Sequence, residues 1–149
     1  MHMNDILILY YSKNDSTKKM ARAIARGIES SNLASSSIRT VHSDSYKESD
    51  DILVTKEDLK KCSGMIIGSP THFGNMAAPL KAFFDSTTDE WFNNTLESKL
   101  GGVFTSTSSM HGGQETTLIS MMMPLIHHGM IIAGVPYSEK NLSSTISGG

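Results

Sequence analysis

The spacing of apolar residues along this chain changes several times, and each change marks an element. Ile6-Leu7-Ile8-Leu9-Tyr10-Tyr11 is a continuous apolar run, too short for a typical helix and rich in strand formers, so it predicts a buried parallel strand. The polar loop Ser12-Lys13-Asn14-Asp15-Ser16-Thr17 follows. Met20, Ala21, Ile24, Ala25 and Ile28 then recur at helical spacing and predict an amphipathic helix to Ser30, with Asp15 or Ser16 as N-cap. Ser31 to Ser37 reads as a Ser-rich connector and Ile38-Arg39-Thr40-Val41-His42 as a short strand. Ser43 to Asp51 is polar and acidic, a solvated loop. Thr55-Lys56-Glu57-Asp58 has the form of an N-cap and acidic first turn of a short helix.

The second half repeats the alternation. Met65-Ile66-Ile67 predicts a strand running into Gly68-Ser69-Pro70-Thr71-His72-Phe73-Gly74-Asn75-Met76, and Ala77 to Asp85 predicts a helix with Pro79 in its first turn. Asp89 to Lys99 is an acidic, aromatic insert holding Trp91 and Phe92. Gly102-Val103-Phe104-Thr105 is the next strand. Gln114 to His128 is a helix with Leu118, Met121, Met122, Leu125 and Ile126 on its apolar side, kinked at Pro124 and followed by Gly129 as C′ residue. Met130 to Val135 is the last strand. Strand-helix alternation without an internal repeat predicts one α/β domain over residues 1–149, a five-stranded parallel sheet in the order 2-1-3-4-5 with helices on both faces. The helix that should close the second face is not visible in Pro136 to Gly149. Its absence would expose a patch of about three or four large side chains, each worth about 1.5–3 kcal/mol when buried. The expectation is a longer polypeptide rather than a face covered by another subunit.

Composition narrows the classes. With 19% charged residues and a net charge of −2, the chain has no basic excess to track a phosphate backbone, so no nucleic-acid partner is expected. No apolar run approaches the roughly 18 residues of a membrane span, and no secretory pattern opens the chain. The single cysteine, Cys62, rules out an internal disulfide and fits a reducing, cytoplasmic setting. His127-His128 is a poor metal site, since adjacent helical residues do not converge on one ion and no Cys, Asp or Glu lies near in sequence. Met121-Met122-Met123 suits packing.

Three loops leave the carboxyl edge of the predicted sheet, Ser12 to Thr17, Ser69 to Met76, and Thr105 to Gly113, all rich in Ser, Thr, Asn and Gly. The first opens a helix, where free N–H groups and the dipole favour an anion such as a phosphomonoester. It lacks the glycines and Lys of a P-loop and is not G-x-G-x-x-G, and it also reads simply as a capped helix. The other two loops could hold a planar ring. Phe73 offers an apolar wall, Gly74 a close backbone approach, and Thr71 and Asn75 hydrogen bonds.

On Leu7-Ile8-Leu9-Tyr10-Tyr11-Ser12, Gly68 to Met76, Gly112-Gly113-Gln114-Glu115, His127-His128-Gly129-Met130 and the spacing of Trp91 after Phe73, the chain resembles the WrbA-type (tryptophan-repressor-binding-protein) family of flavodoxin-like NAD(P)H:quinone oxidoreductases. The resemblance implies FMN as cofactor and NAD(P)H and quinone as substrates. Carried over, Ser12, Lys13, Asn14, Asp15, Ser16 and Thr17 would hold the FMN phosphate. Pro70, Thr71, His72, Phe73, Gly74 and Asn75 would hold ribityl and ring. Ser106, Thr107, Ser108, Ser109, Met110, His111 and Gly112 would border the isoalloxazine, and His127 would touch it. Trp91 would wall the nicotinamide and quinone pocket, with Asn14 at its edge. The resemblance implies a homo-oligomer, a tetramer or a dimer; the family is tetrameric, with subunits completing each other's sites. No side chain is required as an obligatory acid, so no catalytic residue is assigned.

The chain departs from the family at three places. Asn14 and Asp15 stand where an aromatic residue and then Gly are common, His72 where an Arg is common, and the C-terminal helix is missing. The competing readings are an electron-carrying flavodoxin, which would be more acidic, and a relative that no longer holds FMN tightly.

Overall fold

The computed structural model describes residues 4–43 and 50–145. Most of the predicted acidic loop from Ser43 to Asp51 therefore lies outside the described residues. Five strands, β1 (Asn4–Tyr10), β2 (Ala34–Thr40), β3 (Gly64–Pro70), β4 (Leu100–Ser106) and β5 (Ile131–Ile132), form one parallel sheet in the order β2-β1-β3-β4-β5. The helices are α1 (Ser16–Ser30), α2 (Lys56–Lys61), α3 (Ala78–Asp85), α4 (Thr88–Phe92) and α5 (Gln114–His127). The predicted flavodoxin-like order is the observed one.

Alternation along the strands sorts the core into two layers. Leu7, Leu9, Tyr11, Met65 and Ile67 face α2, α3 and α5 through Leu59, Leu80, Phe84, Met121 and Leu125. Ile8, Tyr10 and Phe104 face Ala21 and Ala25 of α1. Small residues on α1 let it lie close to the sheet. On that second face Leu100 and Ile131, paired across β4 and β5, remain 57% and 56% exposed. These are two large side chains where three or four were expected, and Phe104 on the same face is buried.

Three expectations need correction. The second strand starts at Ala34 rather than Ile38, so most of the Ser-rich connector is strand. Its serines are satisfied locally: Ser35 and Ser37 hydroxyls donate to the Asp5 carboxylate, and the Ser36 N–H and hydroxyl donate to Glu29 Oε1. An edge strand tolerates such side chains without apolar patterning. The aromatic insert contains a five-residue helix, α4. The last strand is two residues long, because β4 offers it partners only at Leu100 and Gly101 before the chain diverges after Ala133 N–H meets Gly101 O. The short helix α2 carries the full predicted cap: the Thr55 hydroxyl accepts from Asp58 N–H and the Asp58 carboxylate accepts from Thr55 N–H.

Candidate functional site

Parallel pairing fixes where the three loops end up. β1, β3 and β4 are neighbours in the sheet, so Ser12–Thr17, Thr71–Met76 and Thr107–Gly113 leave the same edge side by side. Hydrogen bonds then tie the loops together. Tyr11 N–H donates to Gly68 O at 3.0 Å and Thr71 N–H to Ser106 O at 2.8 Å. Thr105 Oγ1 donates to Ser69 O at 2.7 Å and so receives from Thr71 Oγ1 at 3.3 Å. Thr17 Oγ1 lies 3.0 Å from Ser106 Oγ. Ser69 Oγ accepts from Ala77 N–H and donates to Pro70 O, both at 2.8 Å, which sets the start of α3.

The first loop turns into α1 through Asp15, whose φ of 61° is left-handed. Its side chain makes no cap hydrogen bond, so it occupies the N-cap position without capping. The leading N–H groups of α1 therefore have no side-chain cap there. Ser12 Oγ is buried with no hydrogen-bond partner among the described residues. Lys13, Asn14, Asp15 and Ser16 are exposed, whereas Thr17 is buried and committed to Ser106. The contact ties Thr17 of the first loop to Ser106 at the end of β4.

The second loop is a tight hairpin. His72 N–H donates to Asn75 O at 2.9 Å and Asn75 N–H to His72 O at 3.0 Å, with Phe73 and Gly74 at φ 53° and 73° between them. Two successive positive φ values make this a type I′ turn, where Asn-Gly is the favoured pair. Phe73 instead stands fully exposed, at 108%. A non-glycine residue held there costs about 1 kcal/mol or more, and an exposed aromatic ring adds no burial to offset it. Asn75 Oδ1 accepts from Met76 N–H at 2.9 Å, leaving its amide NH2 as the group that could donate outward. His72 packs edge-on to Tyr11, with centroids 6.4 Å apart.

The third loop closes against the second. Gly113, at φ 99°, is tightly placed: an added Cβ would sit 3.1 Å from Gly74 Cα and 3.2 Å from Thr71 Cγ2, and the backbone there favours glycine. Ser108, Ser109, Met110, His111 and Gly112 are exposed around this junction, with Ser106 and Thr107 half-buried behind them. His111 also has left-handed backbone, φ 53°. Its Nδ1 lies 2.5 Å from Glu115 Oε1 in the first turn of α5. The pair has an i,i+4 His–Glu spacing in the sequence.

Trp91 and His127 do not join this cluster within one chain. α5 leaves the third loop at Gln114 and runs 14 residues, about 20 Å, toward the opposite edge of the sheet. His127 is in its last turn. Trp91 Nε1 donates to His127 O at 2.8 Å, so the two are neighbours of each other instead. With Phe84, Thr87, Pro124 and His128 they line a cleft of about 270 Å³. Behind it, Thr87 Oγ1 donates to Phe84 O at 2.7 Å and receives from His128 Nε2 at 2.8 Å. His128 Nδ1 is then a buried acceptor without a hydrogen bond among the described residues. Burial pushes the His128 pKa below its ordinary value, with Lys56 and His127 adding to the effect and Glu90 opposing it. Glu90 itself is buried, 3.3 Å from Lys56 Nζ. A second cleft, about 620 Å³, lies beside His72 and is lined by Tyr11, Val41, Val54, Pro79 and Phe83. Among the described residues no helix is long and apolar enough to cross a membrane, and no group of three or more His, Cys, Asp or Glu could hold a metal.

An open α/β sheet with three polar loops converging at its carboxyl edge defines a mononucleotide-binding architecture. The NADPH-dependent FMN reductase family matches residues 5–140, and the chain belongs to that family. It is similar to the NAD(P)H dehydrogenase (quinone) of Chromohalobacter salexigens, at 39% identity over 99% of this chain and 80% of the relative. It is likewise similar to the NAD(P)H dehydrogenase (quinone) of Paracoccus denitrificans, at 42% identity over 93% of this chain and 71% of the relative. Among solved structures, a flavodoxin, WrbA-like protein from Agrobacterium tumefaciens superposes with a TM-score of 0.75 at 24% identity, covering 90% of this chain and 79% of that one.

Proposed function

We propose that this protein is an FMN-dependent oxidoreductase that passes two electrons from NAD(P)H to quinones. The observation that carries the reading is the buried, unpartnered Ser12 Oγ beside the uncapped start of α1. A buried hydroxyl of this kind is costly unless a ligand completes it, and a phosphate dianion accepts both from it and from the helix N–H groups. FMN, when bound, supplies the hydride and electron chemistry. The chain's own residues bind and orient. The first loop holds the phosphate. The Thr71–Asn75 turn offers Phe73 and the Asn75 amide to a ring, and Gly74 and Gly113 keep that wall free of side chains. Ser106 to Gly112 border the far side of the ring.

His127, at the far end of α5, and Trp91 of α4, bonded to it, lie too far from the loops to reach the same ring from within one chain. They serve a neighbouring copy in a homotetramer, each corner lining another subunit's nicotinamide and quinone pocket. The setting is cytoplasmic. Asn14 replaces an aromatic residue at the edge of that pocket, so it contributes polarity rather than stacking.

FMN titration of purified protein, followed by flavin fluorescence, is the first test. Quenching with one FMN per subunit supports the reading, and unaltered fluorescence overturns it. The loaded protein is then given NADH or NADPH with a quinone. Parallel lines in double-reciprocal plots are expected, since both substrates use one pocket in turn. Protein that holds FMN but leaves NAD(P)H unoxidised is an electron carrier, not this enzyme.

A further inference from the structure

The third loop ends in a side-chain pair whose acid–base chemistry the bordering role of Ser106 to Gly112 leaves unused. His111 Nδ1 meets Glu115 Oε1 at 2.5 Å. Glu115 sits in the first turn of α5, where the helix dipole favours a carboxylate. The His111 hydrogen bond holds its carboxyl below the usual range, so at neutral pH it is an anion and can only accept. The shared hydrogen is therefore on Nδ1, which fixes the ring's orientation and leaves Nε2 as the ring nitrogen turned away from Glu115. A carboxylate aligning an imidazole in this way is how many enzymes aim a proton-transfer group. The strain of a left-handed His is not explained by the ion pair, because an exposed i,i+4 pair contributes less than such backbone costs. Glycines stand at the next two positions, Gly112 and Gly113. The place of the pair matters too. A Cβ at Gly113 would fall 3.1 Å from Gly74 Cα and 3.2 Å from Thr71 Cγ2, so His111, two residues earlier, stands near the junction of two loops that would flank the ring. From the second loop the facing residues Phe73 and Gly74 carry no charge, and His72 is turned onto Tyr11. Among the described residues Glu115 is the charged partner of His111.

We propose that His111 is the proton donor to the quinone oxygen, with Glu115 as its positioning residue. This rests on the quinone-reductase reading. The quinone receives two electrons and one proton as a hydride equivalent originating in NAD(P)H, which becomes NAD(P)+. The product of that step is a hydroquinone monoanion. The Nε2–H bond of the His111 imidazolium then breaks as an O–H bond forms on the phenolate oxygen. The neutral imidazole regains its proton from water, and quinone, NAD(P)H and one proton have become hydroquinone and NAD(P)+.

The test compares wild type with His111→Gly and Glu115→Gln. Glycine suits the backbone at position 111, so the turn survives loss of the ring. In flavin-free protein, the Glu115 carboxyl resonance is titrated by NMR, and its midpoint rises in His111→Gly. At saturating FMN, single-turnover quinone reduction by His111→Gly falls about 10²-fold and returns toward wild type with added imidazole. Glu115→Gln is slowed less, and imidazole does not restore it. An unchanged rate in His111→Gly, or a loss that imidazole leaves in place, overturns the proposal. Failure of wild type to bind FMN overturns the underlying reading and the proposal with it. An unmoved Glu115 midpoint overturns the dyad alone, whatever the flavin does.

Discussion

Asp15 allows the phosphate-loop reading to be tested by charge and backbone separately. The residue stands at φ 61° at the mouth of the first loop, its carboxylate uncapped and exposed. Asp15→Gly removes both the charge and the left-handed strain. Relief of that strain is worth about 1 kcal/mol, while glycine's freedom in the unfolded chain costs about 0.5–1 kcal/mol. The two nearly cancel, so the melting temperature should stay within a few degrees. The electrostatic effect does not cancel. A single and a double negative charge about 7 Å apart in water repel by about 1 kcal/mol, which is about fivefold in Kd, and that is the scale expected for Asp15 beside a bound phosphate. FMN should therefore bind about fivefold tighter to Asp15→Gly at low salt, and the gain should shrink as salt screens it. Asp15→Asn keeps the shape and the tolerance for left-handed backbone but loses the charge, so it should show the same gain. The assay is fluorescence quenching at two ionic strengths beside a thermal melt. Equal FMN affinity in wild type and both variants would refute phosphate binding at this loop. A gain in Asp15→Gly without one in Asp15→Asn would refute the electrostatic account.

Gly68 lies under the Phe104 ring, and an added Cβ would fall 2.1 Å from Phe104 Cζ. Gly68→Ala should destabilise the fold by about 1–3 kcal/mol, read by denaturant melts, and adding Phe104→Leu should recover part of that loss; simple additivity would argue against the clash. His128 predicts a pH effect. Because burial lowers its pKa from 6.5, the unfolded chain takes up a proton that the fold refuses. Its contribution to stability is complete above about pH 6.5 and declines as pH falls from there toward the lowered folded value. His128→Gln should flatten that slope in urea melts run across the window.

Much of the scaffold was legible because burial on both faces writes itself as uninterrupted apolar runs, as in Leu7 to Tyr11 and Met65 to Ile67. The helix α1 was equally plain, since its period and its end at Ser30 agree with the structure. β2 was not legible in full. Its serines are satisfied by Asp5 and Glu29, partners that are distant in sequence or not marked by any pattern. β5 was overestimated because apolarity continues through Val135 after its pairing partners stop. At the site, convergence of the three loops followed from strand order. The type I′ turn at Phe73 did not, because local turn chemistry there favours Asn over Phe. The separation of Trp91 and His127 from the loops was present in the length of α5 but needed geometry to notice.

That length has a kinetic consequence. The loop cluster and the Trp91–His127 corner stand at opposite poles of one molecule, joined by a stiff rod of about 20 Å. No single copy can lay both on one small molecule. Any step that uses both is at least second order in protein at low concentration. If neighbouring copies complete each other's sites as proposed, turnover per subunit should climb with enzyme concentration and then level off, whereas FMN occupancy, which needs only one pole, should not depend on dilution in the same way.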